Sequence, residues 1–543
     1  MEKDYRGPLT FLPWRIFFLI FIFSFASAFP SPSLYKSFSD CFARKKIPPA
    51  EISGILYGIN ETADSFSKIL QSNIRNLRFN LSTTKKPAAI IVPTAESHVS
   101  AAVLCAKEHG NVQLKIRSGG HDYEGVSYVS DQPNFVVLDM ANFRSINISL
   151  QDRTAWVGAG AFLGELYYRI WEKSNELAFP AGVCPTLGIG GHISGAGYGN
   201  LMRKYGVSVD HVIDARIVDA GGRILDRKTM GEDLFWAIRG GGAASFAVVL
   251  AFRINLVLVP PSVTVFQVQK GSENNAAIDT FLKYQELNNK IDDDLYIRVY
   301  VQPIKTNNTK PSAVAKFTGM FLGNATRLLS VAGSQFPELG LKKSDCLEMR
   351  WIDSILNWAG FDNKTSPRVL LNRIPKSVDY LKRKSDYVKT PIPKSAMEKL
   401  FAKVAELGKV GLAFNSYGGA MNRIPENATA FPHRAGNIFK IQYASNWGED
   451  QAKDTEKNIE LVREVYDLME PFVAKNPREA YLNYRDLDIG VNDGGYSYEK
   501  GKVFGLKYFR GNFERLVRIK AKVDPENVFR YEQSIPLLRP SDL

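Results

Sequence analysis

Short apolar runs of strand length alternate with amphipathic stretches in the part of the chain that begins near residue 85. Residues 88–92 and 114–117 are rich in β-branched side chains, and residues 96–108 between them carry apolar positions at helical spacing. This order predicts a β-α-β unit, and residues 85–260 are expected to form one α+β domain. Glycine-rich turns separate the further strands that we predict at 135–138, 155–157, 212–218 and 245–254.

The segments on either side of this domain have different patterns. Residues 29–84 look helical and then polar, so we expect an N-terminal helical segment there. Prolines at 260 and 261 end a strand, and residues 261–475 mix strands with amphipathic helices, which predicts a second domain. Residues 476–543 then form a C-terminal segment rich in aromatic and charged side chains. The helical spacing of the N-terminal segment is carried by Ile52, Ile55, Leu56 and Ile59.

The first residues follow the order of a secretory leader. Arg6 and Arg15 precede an apolar run at 16–23, and the small residues Ala26 and Ala28 come after it. We therefore predict a signal peptide over residues 1–28. An uncleaved anchor is the alternative, but the run is too short to cross the roughly 30 Å of a bilayer's hydrocarbon core comfortably.

Asn-x-Ser/Thr sequons agree with passage through the secretory pathway. Together with the leader, they predict a glycoprotein that is secreted to the extracellular space or the cell wall. The vacuole stays open as a destination, and residues 540–543 carry no retention signal. The sequons begin at Asn60, Asn80, Asn147, Asn307, Asn324, Asn363 and Asn427.

The charge of the chain is basic but does not indicate nucleic-acid binding. Among 543 residues, 69 Lys and Arg oppose 56 Asp and Glu, for a net charge of +13. The length and the 45% of hydrophobic residues exclude a disordered chain or a small disulfide scaffold. Because the basic residues are scattered, we expect a generally basic surface, a monomer, and no nucleic-acid or membrane partner. Acidic cell-wall polysaccharide is a partner that this charge would suit.

Two glycine-dense segments carry the strongest chemical signals. They are Arg117-Ser-Gly-Gly-His121-Asp-Tyr-Glu-Gly and, from Gly182, Val-Cys184-Pro-Thr-Leu-Gly-Ile-Gly-Gly-His192. Glycines at this density expose backbone N–H groups and let a phosphate or a flat ring approach closely. His121 and Cys184 are the nucleophilic side chains beside them. Taken alone, each residue could also be structural, as a turn histidine and a buried thiol.

A third glycine segment imitates a dinucleotide-binding fingerprint. Gly158-Ala-Gly-Ala-Phe-Leu-Gly164 follows a predicted strand and precedes a predicted helix. That fingerprint needs an acidic residue about 20 positions later for the ribose hydroxyl, and residues 177–182 contain none. We therefore exclude a Rossmann nicotinamide site here.

With these motifs in place, the sequence resembles plant berberine bridge enzyme-like proteins of the vanillyl-alcohol-oxidase flavoprotein superfamily. The resemblance covers nearly the whole chain and includes Leu234-Phe-Trp-Ala-Ile-Arg-Gly-Gly-Gly242, Phe431-Pro-His-Arg434 and Tyr481-Leu-Asn-Tyr-Arg-Asp-Leu-Asp488. It implies an α+β fold in which a two-part FAD-binding domain joins a substrate domain whose antiparallel sheet is covered by helices. It also implies that the C-terminal segment returns to the FAD domain.

The resemblance further implies FAD held by two covalent bonds, one to His121 and one to Cys184. It pairs Cys41 with Cys105 in a disulfide and leaves Cys346 as a free, buried thiol. Alanines at 243, 244 and 247 stand where relatives often have further glycines, a departure that concerns local backbone geometry. The other residues that it implies around the cofactor are Arg117, Ser118, Gly119, Gly120, Leu187, Gly188, Gly190, Gly191, His192, Gly195, Gly199 and Asn483.

Substrate-side candidates come from residues 436–447, which alternate as a strand should. Lys440 and Gln442 then share a face. Together with Tyr484, they match relatives that resemble monolignol oxidoreductases, with Tyr123 and Tyr198 shaping the pocket. In that comparison Tyr484 is the general base, and Lys440 is the cation that favours its phenolate. The structural alternative is a solvated lysine among tyrosines that only pack.

The resemblance implies an FAD-dependent oxidoreductase that oxidises an allylic or aromatic alcohol of the monolignol type to the aldehyde by hydride transfer. A cell-wall oligosaccharide oxidase, an oxidase of alkaloids or other specialised metabolites, and an inactive glycan-binding wall protein stay open. Leu187 stands where relatives that use oxygen readily often have valine. We therefore expect a quinone or radical acceptor to be preferred to O₂.

Overall fold

The structure is a computed structural model that describes residues 33–271, 275–304, 311–362 and 364–538. Within these ranges the helices are α1 Leu34–Arg44, α2 Pro49–Ile55, α3 Ala63–Ser72, α4 Glu96–His109, α5 Leu163–Lys173, α6 Ile189–Ser194, α7 Met202–Tyr205, α8 Arg227–Ala237, α9 Ala276–Leu287, α10 Ala325–Gln335, α11 Trp351–Trp358, α12 Lys394–Leu407, α13 Ala420–Arg423, α14 Thr455–Met469, α15 Tyr498–Phe509 and α16 Phe513–Val523. The strands are β1 Leu56–Gly58, β2 Ala89–Ile91, β3 Gln113–Arg117, β4 Phe135–Asp139, β5 Ile146–Ser149, β6 Thr154–Gly158, β7 Leu177–Ala178, β8 Val212–Val218, β9 Ile224–Leu225, β10 Val248–Asn255, β11 Val257–Leu258, β12 Val263–Lys270, β13 Leu295–Ile304, β14 Ser312–Phe321, β15 Cys346–Met349, β16 Tyr380–Val388, β17 Gly411–Ser416 and β18 Phe439–Trp447.

Two sheets carry the glycine-rich motifs. The first has the order β1-β2-β4-β3, in which β2, β4 and β3 run parallel and β1 pairs antiparallel with β2. The second is antiparallel, with the order β5-β6-β10-β8-β9. The β-α-β start is confirmed, since α4 lies between β2 and β3 in the chain. The strand predicted from residue 245 begins at Val248, because residues 243–245 form a short 3-10 turn.

The N-terminal segment differs from its prediction at one point. The helix expected through Ile52, Ile55, Leu56 and Ile59 ends at Ile55, and Leu56 opens β1 with Ile91 of β2 opposite. A short apolar run fits either a helix or a strand by spacing alone. Here, pairing with the parallel sheet buries Leu56 completely, and that tertiary contact decides the strand.

A seven-stranded antiparallel sheet forms the other large layer, with the order β15-β12-β14-β13-β17-β18-β16. One face is apolar and packs under α9, α12 and α14 in a single core. The alternate residues of β13 and β18, among them Arg298 and Lys440, lie on the opposite face. The predicted architecture of an antiparallel sheet covered by helices is confirmed.

Five of the sequon asparagines lie in the described residues, and all five are exposed: Asn60, Asn80, Asn147, Asn324 and Asn427. Asn307, Asn363 and the leader at residues 1–28 lie outside the described residues. In the ranges given above, none of the helices is long and apolar enough to span a bilayer.

The structure contains the disulfide Cys41–Cys105, which joins α1 to α4. The bridge spans a sequence separation of 64 residues and lies in the core around the parallel sheet. Cys184 and Cys346 are free thiols. Cys346 is half-buried at the start of β15, not fully buried as expected, because β15 is an edge strand of its sheet.

We expect the double variant Cys41→Ala/Cys105→Ala to lose about 4 kcal/mol in the free energy of unfolding, because the cross-link no longer restricts the unfolded chain. Urea unfolding measures this loss, and Cys346→Ala serves as the control. An unchanged midpoint in the double variant would contradict the bridge's stabilising role.

Candidate cofactor and substrate site

Glycines form much of the wall of a cavity between the two smaller sheets and the C-terminal segment. The space inside it, open mouth included, is about 1150 Å³. A Cβ added to Gly191 would meet no atom within 4 Å, so this wall has open space in front of it. The lining includes Ser118, Gly119, Gly120, His121, Leu187, Gly188, Gly190, Gly191, His192 and Asn483.

The two predicted glycine motifs touch each other through their backbones. A Cβ on Gly119 would lie 2.4 Å from the nitrogen of Gly188, and a Cβ on Gly188 would lie 2.3 Å from the nitrogen of Gly119. Gly120 has a φ of +66°, and a Cβ there would lie 1.8 Å from the carbonyl oxygen of Asn73. Only glycine meets these demands, so the motif residues are required for the shape of the cavity.

Unpaired donors face this cavity. Within the described part of the chain, the backbone N–H groups of Gly119, Gly120 and His121 have no hydrogen-bond acceptor. Consecutive N–H groups of this kind form a concave site for an anion, and buried donors without partners are costly. These groups and the flat glycine wall fit the diphosphate and ring system of a flavin dinucleotide.

Of the two predicted attachment residues, His121 lines this cavity and Cys184 lies outside its lining. Nε2 of His121 lies 2.8 Å from Oγ1 of Thr186, and burial lowers the pKa of His121 to about 3, so the imidazole is neutral and nucleophilic. The Cys184 side chain is reached by solvent yet surrounded by protein, and this desolvation raises the pKa of its thiol. Cys184 interacts electrostatically with Tyr123 and Arg383 on the substrate side.

Three residues predicted around the cofactor do not line the cavity. Arg117 is completely buried, and its guanidinium binds Asp139 and the carbonyl oxygens of Ile69 and Leu70. A guanidinium without water needs this carboxylate, which holds it away from the cavity. Gly195 and Gly199 allow close packing against Asn483 and Ala181 instead.

The substrate-side candidates come together on one face of the seven-stranded sheet. The side-chain amide of Gln442 donates to the hydroxyl of Tyr123 at 2.9 Å. The hydroxyls of Tyr198 and Tyr484 are hydrogen-bonded to each other, and the rings of Tyr123 and Tyr484 lie 5.6 Å apart. Nζ of Lys440 lies 3.0 Å from the ring centre of Tyr198 and 4.7 Å from that of Tyr484. The predicted residues thus form one cluster.

The structure buries the amine of Lys440, which disfavours its predicted positive charge. Lys440 is 1% exposed, and burial, followed by the repulsion of Arg298, lowers the pKa of its amine well below the usual value. Burial likewise raises the pKa of Tyr484 well above its usual value. The lasting cation is Arg298, whose Nε donates to Oδ1 of Asn415 at 2.7 Å.

Arg298, Asn415 and Arg383 are residues beside the tyrosine cluster that sequence reasoning missed. Oδ1 of Asn415 also accepts from the hydroxyl of Tyr198 at 3.2 Å, so Arg298 is linked to the tyrosine pair through this amide. Within the described residues, Arg298 and Arg383 form no ion pair with a carboxylate. The signal that could have found Arg298 is the alternation in β13. Tyr296, Arg298 and Tyr300 alternate there with apolar residues of the helix-covered core.

Comparison with known proteins agrees with this geometry. The FAD binding domain family matches residues 87–227, and the family described as berberine and berberine like matches residues 480–536. Berberine bridge enzyme-like 21 of Arabidopsis thaliana is 52% identical over 527 residues, which cover 96% of each chain.

Solved structures show the same fold. The Bermuda grass isoallergen BG60 superposes with a TM-score of 0.86 at 46% identity, over 92% of this chain and all of that one. The grass pollen allergen Phl p 4, described as having glucose dehydrogenase activity, has the same TM-score at 43% identity, over 92% of this chain and 99% of its own. The cavity, the two glycine motifs and relatives of this similarity lead to one conclusion. The chain belongs to the berberine bridge enzyme-like family of FAD-linked oxidoreductases in the vanillyl-alcohol-oxidase superfamily.

Proposed function

We propose that the protein oxidises an allylic or aromatic alcohol of the monolignol type to the aldehyde. The observation that carries this proposal is the hydrogen-bonded pair Tyr198–Tyr484, which lies beside Tyr123, the hydrogen-bond partner of Gln442 on β18. A hydroxyl acceptor, an amide to hold the substrate oxygen and aromatic rings to hold its body are what alcohol oxidation needs.

FAD bound in the glycine-walled cavity would accept the hydride of the alcohol carbon and pass its electrons to an acceptor. We propose that His121 and Cys184 each form one covalent bond to it. The support for two attachment points is the neutral imidazole of His121 and the position of Cys184 beside the tyrosine cluster. The backbone N–H groups of Gly119 and Gly120 would hold the diphosphate.

Tyr484 takes the proton of the substrate hydroxyl in this proposal. Burial disfavours its phenolate, and so does the hydrogen bond with Tyr198, whose own proton is donated to Oδ1 of Asn415. The positive charge of Arg298 favours the phenolate. A proton acceptor whose pKa is raised is ionised only in a small fraction of molecules at neutral pH. The oxidation is therefore expected to speed up as pH rises.

An acidic oligosaccharide is a second candidate substrate. Arg298 is 8% exposed and lies with Arg383 beside the tyrosines without a carboxylate partner among the described residues, so the cavity favours an anionic ligand. A solved relative is described as a glucose dehydrogenase.

The five exposed sequons and the leader-like N-terminus support secretion to the wall.

The first prediction concerns the covalent bonds. Single variants His121→Ala and Cys184→Ala should each keep yellow colour on the acid-precipitated chain, because one bond is enough to retain the cofactor. The double variant should release it, with Cys346→Ala as the control. Colour retained by the precipitated double variant would overturn both assignments.

The second prediction concerns the base and the substrate. Mixing the purified protein anaerobically with coniferyl alcohol should bleach its visible absorbance, faster at higher pH. Tyr484→Phe should slow this bleaching by a factor of about 10² to 10⁴, because the proton acceptor is lost. Tyr284→Phe removes a buried hydroxyl in the helix-covered core and is the control.

If coniferyl alcohol fails to bleach the wild type while oligogalacturonides succeed, the acidic sugar replaces the alcohol as the substrate. If neither substrate bleaches a protein that carries flavin, both candidate substrates are wrong.

The third prediction concerns the electron acceptor. The half-buried Leu187 lines the cavity. Its side chain is longer than that of valine, and we expect it to restrict access of O₂. Leu187→Val should recolour faster in air after reduction by substrate, while quinone reduction stays unchanged. Leu282→Val, a similar change in the helix-covered core, is the control. Equal rates of recolouring in Leu187→Val and the wild type would contradict this role.

A further inference from the structure

Two buried lysines lie on the face of β16 opposite the tyrosine cluster. Lys382 and Lys384 are each 2% exposed and alternate with Arg383, which faces Tyr123. Their cross-strand neighbours on β18 are Ser445 and Tyr443, and neither shares the face of Lys440. These lysines therefore do not reach the substrate, and the proposed chemistry does not use them.

Lys382 joins two segments that are distant in the sequence. Its Nζ donates to Oε1 of Glu124 at 2.6 Å and to Oδ1 of Asp486 at 2.9 Å. Glu124 follows His121 by three residues, and Asp486 follows Tyr484 by two. One ammonium group thus ties the loop that carries the flavin-attachment histidine to the loop that carries the proton acceptor.

Further charges complete this network. Lys384 donates to Asp486 at 2.6 Å and to Asp488 at 3.0 Å, and Arg463 binds both oxygens of Asp488. Attraction by the carboxylates raises the pKa of Lys382 above its usual value, although burial opposes this. A second tie joins the same loops nearby, because Nε of Arg485 donates to Asp122 at 2.9 Å.

Charges buried at this depth cost free energy, and ion pairs of this kind rarely add stability over apolar packing. We expect these ion pairs to act on geometry, because a fully satisfied buried network fixes the positions of the backbone segments that carry its carboxylates. A displacement of about 1 Å at a reacting group can cost a hundredfold in rate. This network joins the loops of His121 and Tyr484, where small displacements would affect the reacting groups.

We propose that Lys382 is a positioning residue that fixes Tyr484 relative to Tyr123 and His121 by bridging Glu124 and Asp486. This inference rests on the proposed function of Tyr484 as the proton acceptor. The titratable and charged groups that face Tyr484 itself are Tyr123, Tyr198, Tyr481, Lys440, Arg298 and Arg383. Lys382 acts on the phenol through the backbone and not through any of these contacts.

Three variants of the full-length flavoprotein separate position from charge. Lys382→Met removes the bridge and one positive charge. Glu124→Gln cuts the same bridge while removing a negative charge, and the double variant Lys382→Met/Glu124→Gln cuts it with no change in net charge. The rate of anaerobic bleaching by coniferyl alcohol is measured against pH, with the substrate dissociation constant taken from its concentration dependence.

If the bridge positions Tyr484, all three variants lower the limiting bleaching rate at neutral pH by about tenfold to a hundredfold. Substrate dissociation constants stay within about threefold, and the midpoint of the pH profile moves in the same direction in all three variants, because each loses the same bridge. A charge effect would instead raise this midpoint in Lys382→Met, lower it in Glu124→Gln and leave it unchanged in the double variant.

Midpoints that move in opposite directions in Lys382→Met and Glu124→Gln, or a wild-type profile in the double variant, overturn the proposal in favour of a charge effect. If Lys382→Met fails to fold, Glu124→Gln still decides, because lost positioning lowers its bleaching rate at neutral pH, whereas removal of a negative charge alone would raise the phenolate fraction and the rate. Arg434→Met cuts an equally buried ion pair to Asp210 outside the cavity and should lower the melting temperature without moving the profile. A Tyr484→Phe variant that bleaches as fast as the wild type would refute the proposed function itself.

Discussion

The need to give partners to charges that are taken out of water organises much of the interior of this protein. Arg117 and Asp139 are both almost completely buried and bind each other beside the cofactor cavity. Lys382 is as deeply buried and takes its two carboxylates from different parts of the chain. These ion pairs join segments that are distant in the sequence, and leaving either partner unpaired would be costly, so they hold the segments around the site in one arrangement.

Glycine solves the complementary problem of close approach. The backbones of Gly119 and Gly188 touch, which brings the segments of His121 and Cys184 together around one cavity. The seven-stranded sheet carries the substrate-side candidates, because alternation along β18 sends Lys440 toward the tyrosines while its neighbours enter the helix-covered core. The cofactor side and the substrate side are thus built by different means and meet at Tyr484.

Local sequence was informative wherever a local rule decides the structure. The glycine motifs, the strand bearing Lys440 and Gln442, and the β-α-β start all follow from residue type and spacing, and the structure contains them. Arg298 was missed because its role depends on Asn415 of a different strand. The burial of Lys440 likewise depends on rings from other segments of the chain.

The sequence by itself determined the family, the class of cofactor and the candidate residues for the chemistry, because motifs with such glycine demands tolerate few substitutes. Only the tertiary structure decided which of these residues face the cavity. Arg117 lies within a glycine motif, yet its guanidinium points to Asp139. Desolvation and ion pairing are set by neighbours from across the chain, and no local pattern encodes them.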